Sequence, residues 1–234
     1  MAEGRERFDL LIGSEIGRWI LGIVDPADVA TIVTHDDGIA ETAAGRGMQV
    51  ARAYPPDRPA RFALSAHWPT VLTSDELAVY ETAWNVHPGL LPWGRGYGPV
   101  FWALWVGEPA GCTLHVMAAA LDRGPIVEQR RVAVEPDDTG WTLYRRVLEA
   151  REQLFLDWWP RLVAGERPAG TPQAEGGSYH ARADFLRMRD EPDLTDMSAA
   201  DLVRLARALA MPGMPGPAVG DGLRLQIAAE DSRG

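Results

Sequence analysis

Short apolar segments alternate with amphipathic segments along most of the sequence. The apolar segments end at Gly, Pro, Asn or Asp, and they predict strands at Phe8–Ile12, Val29–Val33, 61–65, 69–73, 83–86, 111–117 and 125–129. The amphipathic segments predict helices at 15–21, from Ser74 as the N-cap onward, and at Pro99–Val106, 139–162 and 198–209. Strands and helices that alternate in this way indicate an α/β fold with a mostly parallel sheet covered by helices on both faces.

A segment rich in Gly and Pro, residues 166–177, separates this alternating region from a less regular end of the chain. We therefore predict a catalytic domain at residues 1–165, a linker at 166–177, and a small C-terminal subdomain, an appendage to the main fold, at 178–234. Within the appendage, residues 179–194 are predicted to be polar and irregular, and residues 220–227 to form a last strand or hairpin. The last few residues are predicted to be disordered.

The composition indicates the cellular compartment and excludes some classes of partner. The chain has 234 residues, of which 46% are hydrophobic and 24% charged, enough for one sizeable α/β domain with an appendage. The single cysteine, Cys112, excludes an internal disulfide, and with a charged N-terminus that lacks the apolar segment of a signal peptide it favours the cytoplasm. A net charge of -10 argues against a nucleic-acid partner, because phosphate backbones are bound by clustered Lys and Arg. No apolar run approaches the roughly 18 residues that span a membrane.

The polar residues with the clearest chemical signal are Asn85, His87 and Asp122. Asn85 and His87 follow a predicted strand in the run Asn85-Val-His87-Pro88, at the sheet edge where open α/β folds bind ligands. An amide, an imidazole and a carboxylate can together bind a developing oxyanion and move a proton. Taken alone, the first motif favours an Asn turn with a packed His, and Asp122-Arg-Gly124 favours a simple turn.

A longer pattern connects these residues. In chain order it reads Asn85-Val-His87-Pro88-Gly-Leu-Leu-Pro92, Arg95-Gly96, Gly111-Cys-Thr113-Leu-His115-Val-Met117, Asp122-Arg-Gly124-Pro-Ile126 and Gln129. This pattern resembles the formyltransferase family that uses 10-formyltetrahydrofolate, and the resemblance is specific from about residue 83 to residue 160. It implies a Rossmann-like sheet, and it implies that Asn85, His87 and Asp122 are the catalytic residues.

The resemblance also implies the role of each catalytic group. An amine attacks the formyl carbon, Asn85 and a protonated His87 donate to the carbonyl oxygen, and Asp122 keeps His87 charged and accepts the amine proton. Two positions depart from the family pattern. Gly89 stands where the family usually has serine, and residues 118–120 are alanines where many members are more acidic or polar. Neither departure removes a catalytic group.

Binding contacts are expected on both sides of the catalytic residues. In the family the folate ring lies against backbone, which corresponds here to Val71, Leu72 and Thr73 and to Ala119, Ala120 and Leu121. We expect Trp93, Arg95 and Gly96 to contact the amine substrate, with packing of Trp93 against the fold as the alternative. Arg95 and Arg182 are the candidates for phosphate or carboxylate recognition, because a guanidinium suits both groups. His115 is predicted to be a buried, hydrogen-bonded neighbour rather than an acid or base.

No metal ion is expected. His35, Asp36 and Asp37 are of metal-ligand types, but a solvated turn is the simpler interpretation, because no spacing brings further ligands close.

The appendage distinguishes the branches of the family. Methionyl-tRNA formyltransferases carry a sizeable basic C-terminal domain, and phosphoribosylglycinamide formyltransferases carry an N-terminal Gly-rich phosphate loop. A short acidic-to-neutral tail is instead similar to that of amino-sugar N-formyltransferases. The favoured function is formyl transfer from 10-formyltetrahydrofolate to a small primary amine, a nucleotide-linked amino sugar or a specialised-metabolite intermediate. A phosphoribosylglycinamide formyltransferase-like enzyme, a 10-formyltetrahydrofolate hydrolase and a non-catalytic folate-binding protein stay open, as does the oligomeric state, a homodimer included.

Overall fold

The computed structural model describes residues 5–220 and 222–227, so predictions for residues 1–4 and for the last residues lie outside it. The strands are β1 (Phe8–Ile12), β2 (Val29–Val33), β3 (Val50–Ala51), β4 (Phe62–Ala66), β5 (Thr82–His87), β6 (Arg95–Gly96), β7 (Ala110–Val116), β8 (Ile126–Val132), β9 (Tyr179–His180), β10 (Ala218–Gly220) and β11 (Leu223–Arg224). The helices are α1 (Ser14–Ile23), α2 (Asp37–Gly45), α3 (Ser74–Leu77), α4 (Pro99–Val106), α5 (Gly140–Val163), α6 (Arg182–Asp190) and α7 (Ala199–Leu209).

Seven of these strands form one sheet in the order β3-β2-β1-β4-β5-β7-β8. The strands from β3 to β5 along this order pair in parallel, whereas β7 runs antiparallel to both β5 and β8. The predicted α/β fold with a mostly parallel sheet is therefore confirmed. The last parallel strand, β5, ends beside a strand of opposite direction, and the polar residues singled out above lie at this boundary.

Successive side chains of the central strand β1 enter different apolar clusters, as the two-residue period of a strand requires. Phe8, Leu10 and Ile12 are fully buried beneath α1, α2 and α5. Leu11 enters a smaller cluster on the opposite face together with Leu72. Burial of each such side chain stabilises the fold by about 1.5–3 kcal/mol. The long helices thus cover one face of the sheet, and the other is covered by the four-residue helix α3 and the loops around it.

The segment before β5 differs from its prediction. Residues 69–73 form a loop rather than a strand, and Leu72 fills the smaller cluster instead of joining the sheet. Thr73, not Ser74, is the N-cap of α3, because its hydroxyl accepts from the Glu76 backbone N–H at 3.3 Å. The Glu76 carboxylate accepts in return from the Thr73 backbone N–H at 2.7 Å. The strand prediction was wrong because a short run of apolar and β-branched residues satisfies a strand pattern even where no strand lies beside it to pair with.

Sequence reasoning also missed α2. Asp36, assigned to a solvated turn, is the N-cap of this helix and accepts from the Ile39 backbone N–H at 3.0 Å. An Asp directly before an apolar helix is a common N-cap. It was missed because the nearby Gly38 is typical of a turn.

The appendage is more regular than predicted. The polar segment 179–194 contains β9, which pairs with β6, and α6, whose buried residue Phe185 packs against α4 and α7. Both were missed because two-residue strands have no pattern of their own and α6 is mostly polar. Helix α7 with Ser198 as its N-cap is confirmed, and β10 and β11 form a hairpin near the predicted position. The division of the chain at 165 and 178 stays a prediction.

Candidate active site

The three predicted catalytic residues lie together at the end of β5. Asn85 and His87 are two positions apart on this strand, so their side chains leave the same face of the sheet. Asp122 lies on the loop between β7 and β8 and is buried, as is His87. The antiparallel register of β5 and β7 sets Asn85 opposite His115 and His87 opposite Thr113. One amide, two imidazoles and one carboxylate thus meet in one cluster.

The imidazole of His87 contacts two oxygen atoms. Its Nε2 lies 2.8 Å from the carbonyl oxygen of Gly94, and its Nδ1 lies 3.6 Å from Oδ1 of Asp122. A carbonyl oxygen only accepts hydrogen bonds, so Nε2 carries a proton and donates it to Gly94. A Cβ atom at Gly89 would stand 2.6 Å from this nitrogen. The ring therefore uses the space left by the glycine that replaces the family's usual serine.

Asp122 is held by backbone on one side and faces imidazoles on the other. Its Oδ2 accepts a hydrogen bond from the Gly96 backbone N–H at 2.9 Å, while Oδ1 lies 3.6 Å from His87 and 3.7 Å from His115 Nε2. Its backbone is left-handed, with φ of 53°. A Cβ atom at Gly124 would lie 1.7 Å from a carbonyl oxygen of β7. Only glycine permits this close approach, which turns the loop so that Asp122 points into the cluster.

His115 fixes the orientation of the Asn85 amide. Its Nδ1 lies 2.9 Å from the carbonyl oxygen of Val116 and therefore donates to it. Burial, and then the neighbouring charge of His87, lower the pKa of His115 to about 4, so the ring is neutral near pH 7. Its Nε2 then has a lone pair and accepts from Nδ2 of Asn85 at 3.3 Å. The second N–H of Asn85 is directed away from this bond.

The low pKa of His115 makes stability depend on pH. Unfolded His115 takes up its proton near pH 6.5, whereas folded His115 does so near pH 4. Between these values the unfolded state binds more protons, so the folded state loses stability as the pH falls through this window. We expect His115→Asn to remove about 2–3 kcal/mol of that loss. Urea unfolding of both proteins at pH 7 and pH 4.5 measures the difference, and equal pH dependence would contradict it.

Two residues of the longer sequence pattern brace the loop after His87. The Thr113 hydroxyl donates to the Gly89 carbonyl oxygen at 2.7 Å and accepts from the Leu91 backbone N–H at 3.1 Å. Gln129 Nε2 donates to the Leu91 carbonyl oxygen at 2.6 Å and to the Thr113 hydroxyl at 3.0 Å. These bonds hold the turn that follows the imidazole of His87.

The three residues expected to contact the amine are placed differently from one another. Trp93 is 41% exposed beside the catalytic turn. Arg95 is buried, and its guanidinium donates to the side chain of Gln173 and the backbone of Gly176. Gly96 contributes its backbone N–H to Asp122. The side chain of Trp93 is thus accessible to a ligand. The guanidinium of Arg95 is bonded to Gln173 and Gly176 of the same chain, and its recognition of a phosphate stays a prediction.

The backbone positions expected to bind folate also differ. Residues 118–120 are exposed, and in the described part of the chain no backbone N–H of residues 118–121 donates a hydrogen bond. Val71 is exposed, whereas the Leu72 side chain is buried in the smaller cluster. The Thr73 backbone N–H is taken by Glu76. The segment next to Asp122 therefore has the freer hydrogen-bonding groups.

Sequence reasoning missed two residues that hold the site. Arg151 is fully buried in α5, and its Nη2 donates at 2.9 Å to the carbonyl oxygen of Val86, between Asn85 and His87 on β5. Burial lowers its pKa to about 10. An arginine four residues after Val147 and four before Phe155, on an apolar helix face, was the available signal. The other residue, Gln173, lies in the predicted linker, where nothing in the sequence distinguishes it.

Two negative findings apply to residues 5–220 and 222–227. No group of three or more His, Cys, Asp or Glu side chains in these ranges is arranged to hold a metal ion. No helix in the same ranges is long and apolar enough to cross a membrane.

Comparison with known proteins matches the chain to a protein family and to curated relatives. The family model described as formyl transferase matches residues 27–158. A dTDP-4-amino-4,6-dideoxyglucose formyltransferase from Mycobacterium bovis is 33% identical over 105 residues, which are 45% of this chain and 44% of that protein. The match therefore spans less than half the length of the curated relative.

Solved structures match over more of the chain. A sugar N-formyltransferase from a Shewanella species superposes with a TM-score of 0.78 at 23% identity, covering 96% of this chain and 98% of that one. An N-formyltransferase from Helicobacter canadensis, solved in complex with folinic acid and dTDP-3-aminofucose, superposes with a TM-score of 0.71 at 19% identity, covering 88% of this chain and 81% of that one. At these identities the likeness is one of fold.

Proposed function

Because the chain belongs to the formyl transferase family, we propose that it is an N-formyltransferase that moves a formyl group from 10-formyltetrahydrofolate to a primary amine of a nucleotide-linked amino sugar. The resemblance stated from the sequence pattern is confirmed at the level of the family. The observation that carries the proposal is the meeting of Asn85, His87 and Asp122 at the end of β5. Each group has the chemistry that this reaction requires.

The folate is expected to lie along residues 118–121. This segment is solvent-accessible, offers unpaired backbone N–H groups and leads directly into Asp122, so a heterocycle bound there would lie beside the catalytic groups. Bound there, the folate would supply the formyl carbon. The amine nitrogen bonds to this carbon, the bond from the carbon to a folate nitrogen then breaks, and that nitrogen leaves with the proton that Asp122 took from the amine. Contact through backbone alone also accounts for the weak side-chain signature of this segment.

Asn85 is the oxyanion donor in this proposal. As the amine attacks, negative charge develops on the formyl oxygen, and a fixed N–H aimed at that oxygen lowers the barrier. The bond from Asn85 to His115 sets the plane of the amide before any ligand binds. The donor therefore does not have to reorganise during the reaction. The Nε2–H of His87 is a second donor, provided that it exchanges the Gly94 carbonyl oxygen for the formyl oxygen.

Asp122 is the proton acceptor. Its Oδ1 is the oxygen that faces the cluster, and its Oδ2 is held by the Gly96 backbone N–H. The attacking amine loses one proton when the new C–N bond forms, and Oδ1 takes it directly or through one water molecule.

The proposal of a nucleotide-linked amino sugar as the amine substrate rests on the relatives and on the exposed side chain of Trp93. The curated relative acts on a dTDP-linked 4-amino sugar by its name, and the Helicobacter canadensis structure holds a dTDP-linked 3-amino sugar. Trp93, exposed beside the catalytic turn, offers an aromatic face for a base or sugar. These observations support a nucleotide-linked amino sugar over a free small amine.

An acceptor screen tests this function. The protein is incubated with 10-formyltetrahydrofolate and, separately, with dTDP-4-amino, dTDP-3-amino and UDP-4-amino sugars and with phosphoribosylglycinamide, and each amine is examined by mass spectrometry. The proposal predicts a gain of one formyl group on at least one amino-sugar nucleotide and none on phosphoribosylglycinamide. Formylation of phosphoribosylglycinamide alone would move the assignment to that branch, and formate release without any amine would indicate a hydrolase.

A further inference from the structure

The segment from Thr171 to His180, here called the strap, is fastened to the catalytic edge of the sheet at both ends. At its start, Thr171 exchanges two backbone hydrogen bonds with Ile126, at 2.8 and 2.7 Å. At its end, Ser178 donates its backbone N–H to Pro92 at 3.1 Å, and its hydroxyl accepts from the Gly94 backbone N–H at 2.8 Å. The sequence predicted a linker for most of this segment, and the strap crosses the loop after His87 and the loop that carries Asp122.

Two glycines permit this close crossing. Gly177 has φ of 81°, and a Cβ atom there would lie 2.0 Å from the Pro92 carbonyl oxygen. Gly170, just before the strap, has φ of 72°, and a Cβ atom there would lie 2.8 Å from the Ile126 carbonyl oxygen. Neither position accepts a side chain without movement of backbone. The strap is therefore in backbone-to-backbone contact on both sides of the catalytic loop.

Between these two ends, the side chain of Gln173 uses its whole amide. Its Nε2 donates to the backbone carbonyl oxygens of Asp122, at 2.7 Å, and of Gly124, at 2.9 Å. Its Oε1 accepts from Nε and Nη2 of Arg95, at 3.1 and 2.8 Å. An amide has two N–H donors and two acceptor lone pairs, so every hydrogen-bonding position of Gln173 is occupied.

Arg95 completes the link from the other side. Its own backbone N–H donates to the strap at Ser178, at 3.3 Å, and the next residue, Gly96, donates to the carboxylate of Asp122. Its guanidinium is buried, which lowers its pKa, and among the described residues no carboxylate forms an ion pair with it. Gln173 and Gly176 are therefore the partners that make burial of this cation tolerable.

These contacts form a closed bracket around one residue. The backbone of Asp122 is bonded to Gln173, Gln173 is bonded to Arg95, and the residue after Arg95 is bonded to the carboxylate of Asp122. We propose that Gln173 is a positioning residue that holds the carboxylate of Asp122 at its catalytic distance and angle, so that the strap is part of the active site. The expected effect of Gln173 on turnover rests on the proposed function. Its expected effect on the position of Asp122 rests on geometry alone.

We expect the loss of Gln173 to slow the chemical step rather than to weaken substrate binding. The side chain of Gln173 bonds to the backbone of Asp122 and Gly124 and to Arg95, and none of its bonds reaches Trp93, so its loss is expected to change kcat more than the KM for the amine. A displacement of the proton acceptor by about 1 Å is enough to cost up to about 10²-fold in rate. Left-handed backbone at Asp122 adds to the need for an external support, because that conformation is unfavourable for a residue with a Cβ.

Two substitutions test the bracket. Gln173→Glu keeps the shape and the contact with Arg95, but sets carboxylate oxygen against the two carbonyl oxygens that the amide bonded. Gln173→Met keeps the length and removes all four bonds. For both we expect kcat to fall by about 10- to 100-fold, with KM for the amine within about twofold of the wild type. Gln49→Glu, the same substitution at an exposed glutamine beside the edge strand β3, is the matched control and should behave as wild type.

A second readout does not need activity. The Gly96 amide proton reports the hydrogen bond to the Asp122 carboxylate, so its chemical shift and exchange rate by NMR follow the position of that carboxylate. Both Gln173 variants are expected to shift this signal and speed its exchange, whereas Gln49→Glu is not. If the wild type formylates no amine but the Gly96 signal responds as expected, the proposed function fails and the bracket stands.

The inference is overturned in either of two cases. The first is a Gly96 signal that stays unchanged in both Gln173 variants, because the carboxylate would then keep its place without the strap. The second is a pair of variants that keep the kcat of the wild type and lose only thermal stability, because Gln173 would then merely fasten the strap to the protein.

Discussion

Asp122→Asn is expected to lower kcat for formyl transfer by about 10²- to 10⁴-fold, the range that a positioned proton acceptor contributes. The carboxylate is the group placed to take the amine proton, because its Oδ1 faces the cluster, whereas Nε2 of His115 accepts from Asn85 and Nε2 of His87 donates to Gly94. An asparagine oxygen keeps the bond from Gly96 but has almost no basicity. The loss should appear in kcat at every amine concentration.

Asparagine is a better replacement than alanine at this position. The backbone of residue 122 is left-handed, and asparagine tolerates that region while alanine does not. Asp122→Ala would therefore mix backbone strain with loss of the base. Asp37→Asn, at an exposed carboxylate elsewhere, removes the same charge and is expected to keep full turnover. Near-normal kcat in Asp122→Asn would refute the assignment of Asp122 as the proton acceptor.

Asn85→Ala is expected to lower kcat by about 10²- to 10³-fold, as loss of one oxyanion donor does in comparable enzymes. The structure adds a reason for an effect of that size. The amide is oriented by the lone pair of a neutral His115, so the donor is in place before the reaction and in a largely buried setting. A preorganised donor of this kind acts mainly in the transition state.

Kinetics of the Asn85 variant separate two roles. An oxyanion donor changes kcat and leaves KM for the amine nearly unchanged, whereas a residue that only binds the substrate raises KM at constant kcat. Thr82→Ala, at the opposite end of the same strand and bonded only to its neighbour's carbonyl oxygen, is the control for damage to β5. A raised KM with wild-type kcat in Asn85→Ala would contradict the oxyanion role.

The central sheet and the meeting of Asn85, His87 and Asp122 could be predicted from the sequence because both depend on local patterns. Strands such as Phe8–Ile12 and Val29–Val33 are apolar runs bounded by turn residues, and they appear at the predicted positions. Asn85 and His87 lie at the end of β5, and Asp122 follows β7. Because β5 and β7 are neighbours in the sheet, the three residues meet. The match to the family confirms the type of fold. The roles of these three residues stay predictions that kinetic measurements test.

The parts that sequence reasoning missed depend on contacts between distant segments. Gln173 lies in a Gly- and Pro-rich stretch that has the composition of a linker, and its role exists only because the strap returns to the catalytic loop. Strand β9 is two residues long and is formed by its pairing with Arg95 and Gly96. The buried Arg151 differs, because a charge on an apolar helix face was visible and went unused.

The most direct test of the account is the stoichiometry of a single reaction. The wild-type protein is mixed with 10-formyltetrahydrofolate and the amino-sugar nucleotide favoured in the acceptor screen, and tetrahydrofolate, N-formyl product and formate are all quantified. The account predicts one N-formylated sugar for each tetrahydrofolate formed, with formate at the background of a protein-free control. Tetrahydrofolate and formate in equal amounts, or no product from a folded protein with any amino-sugar nucleotide, would contradict it.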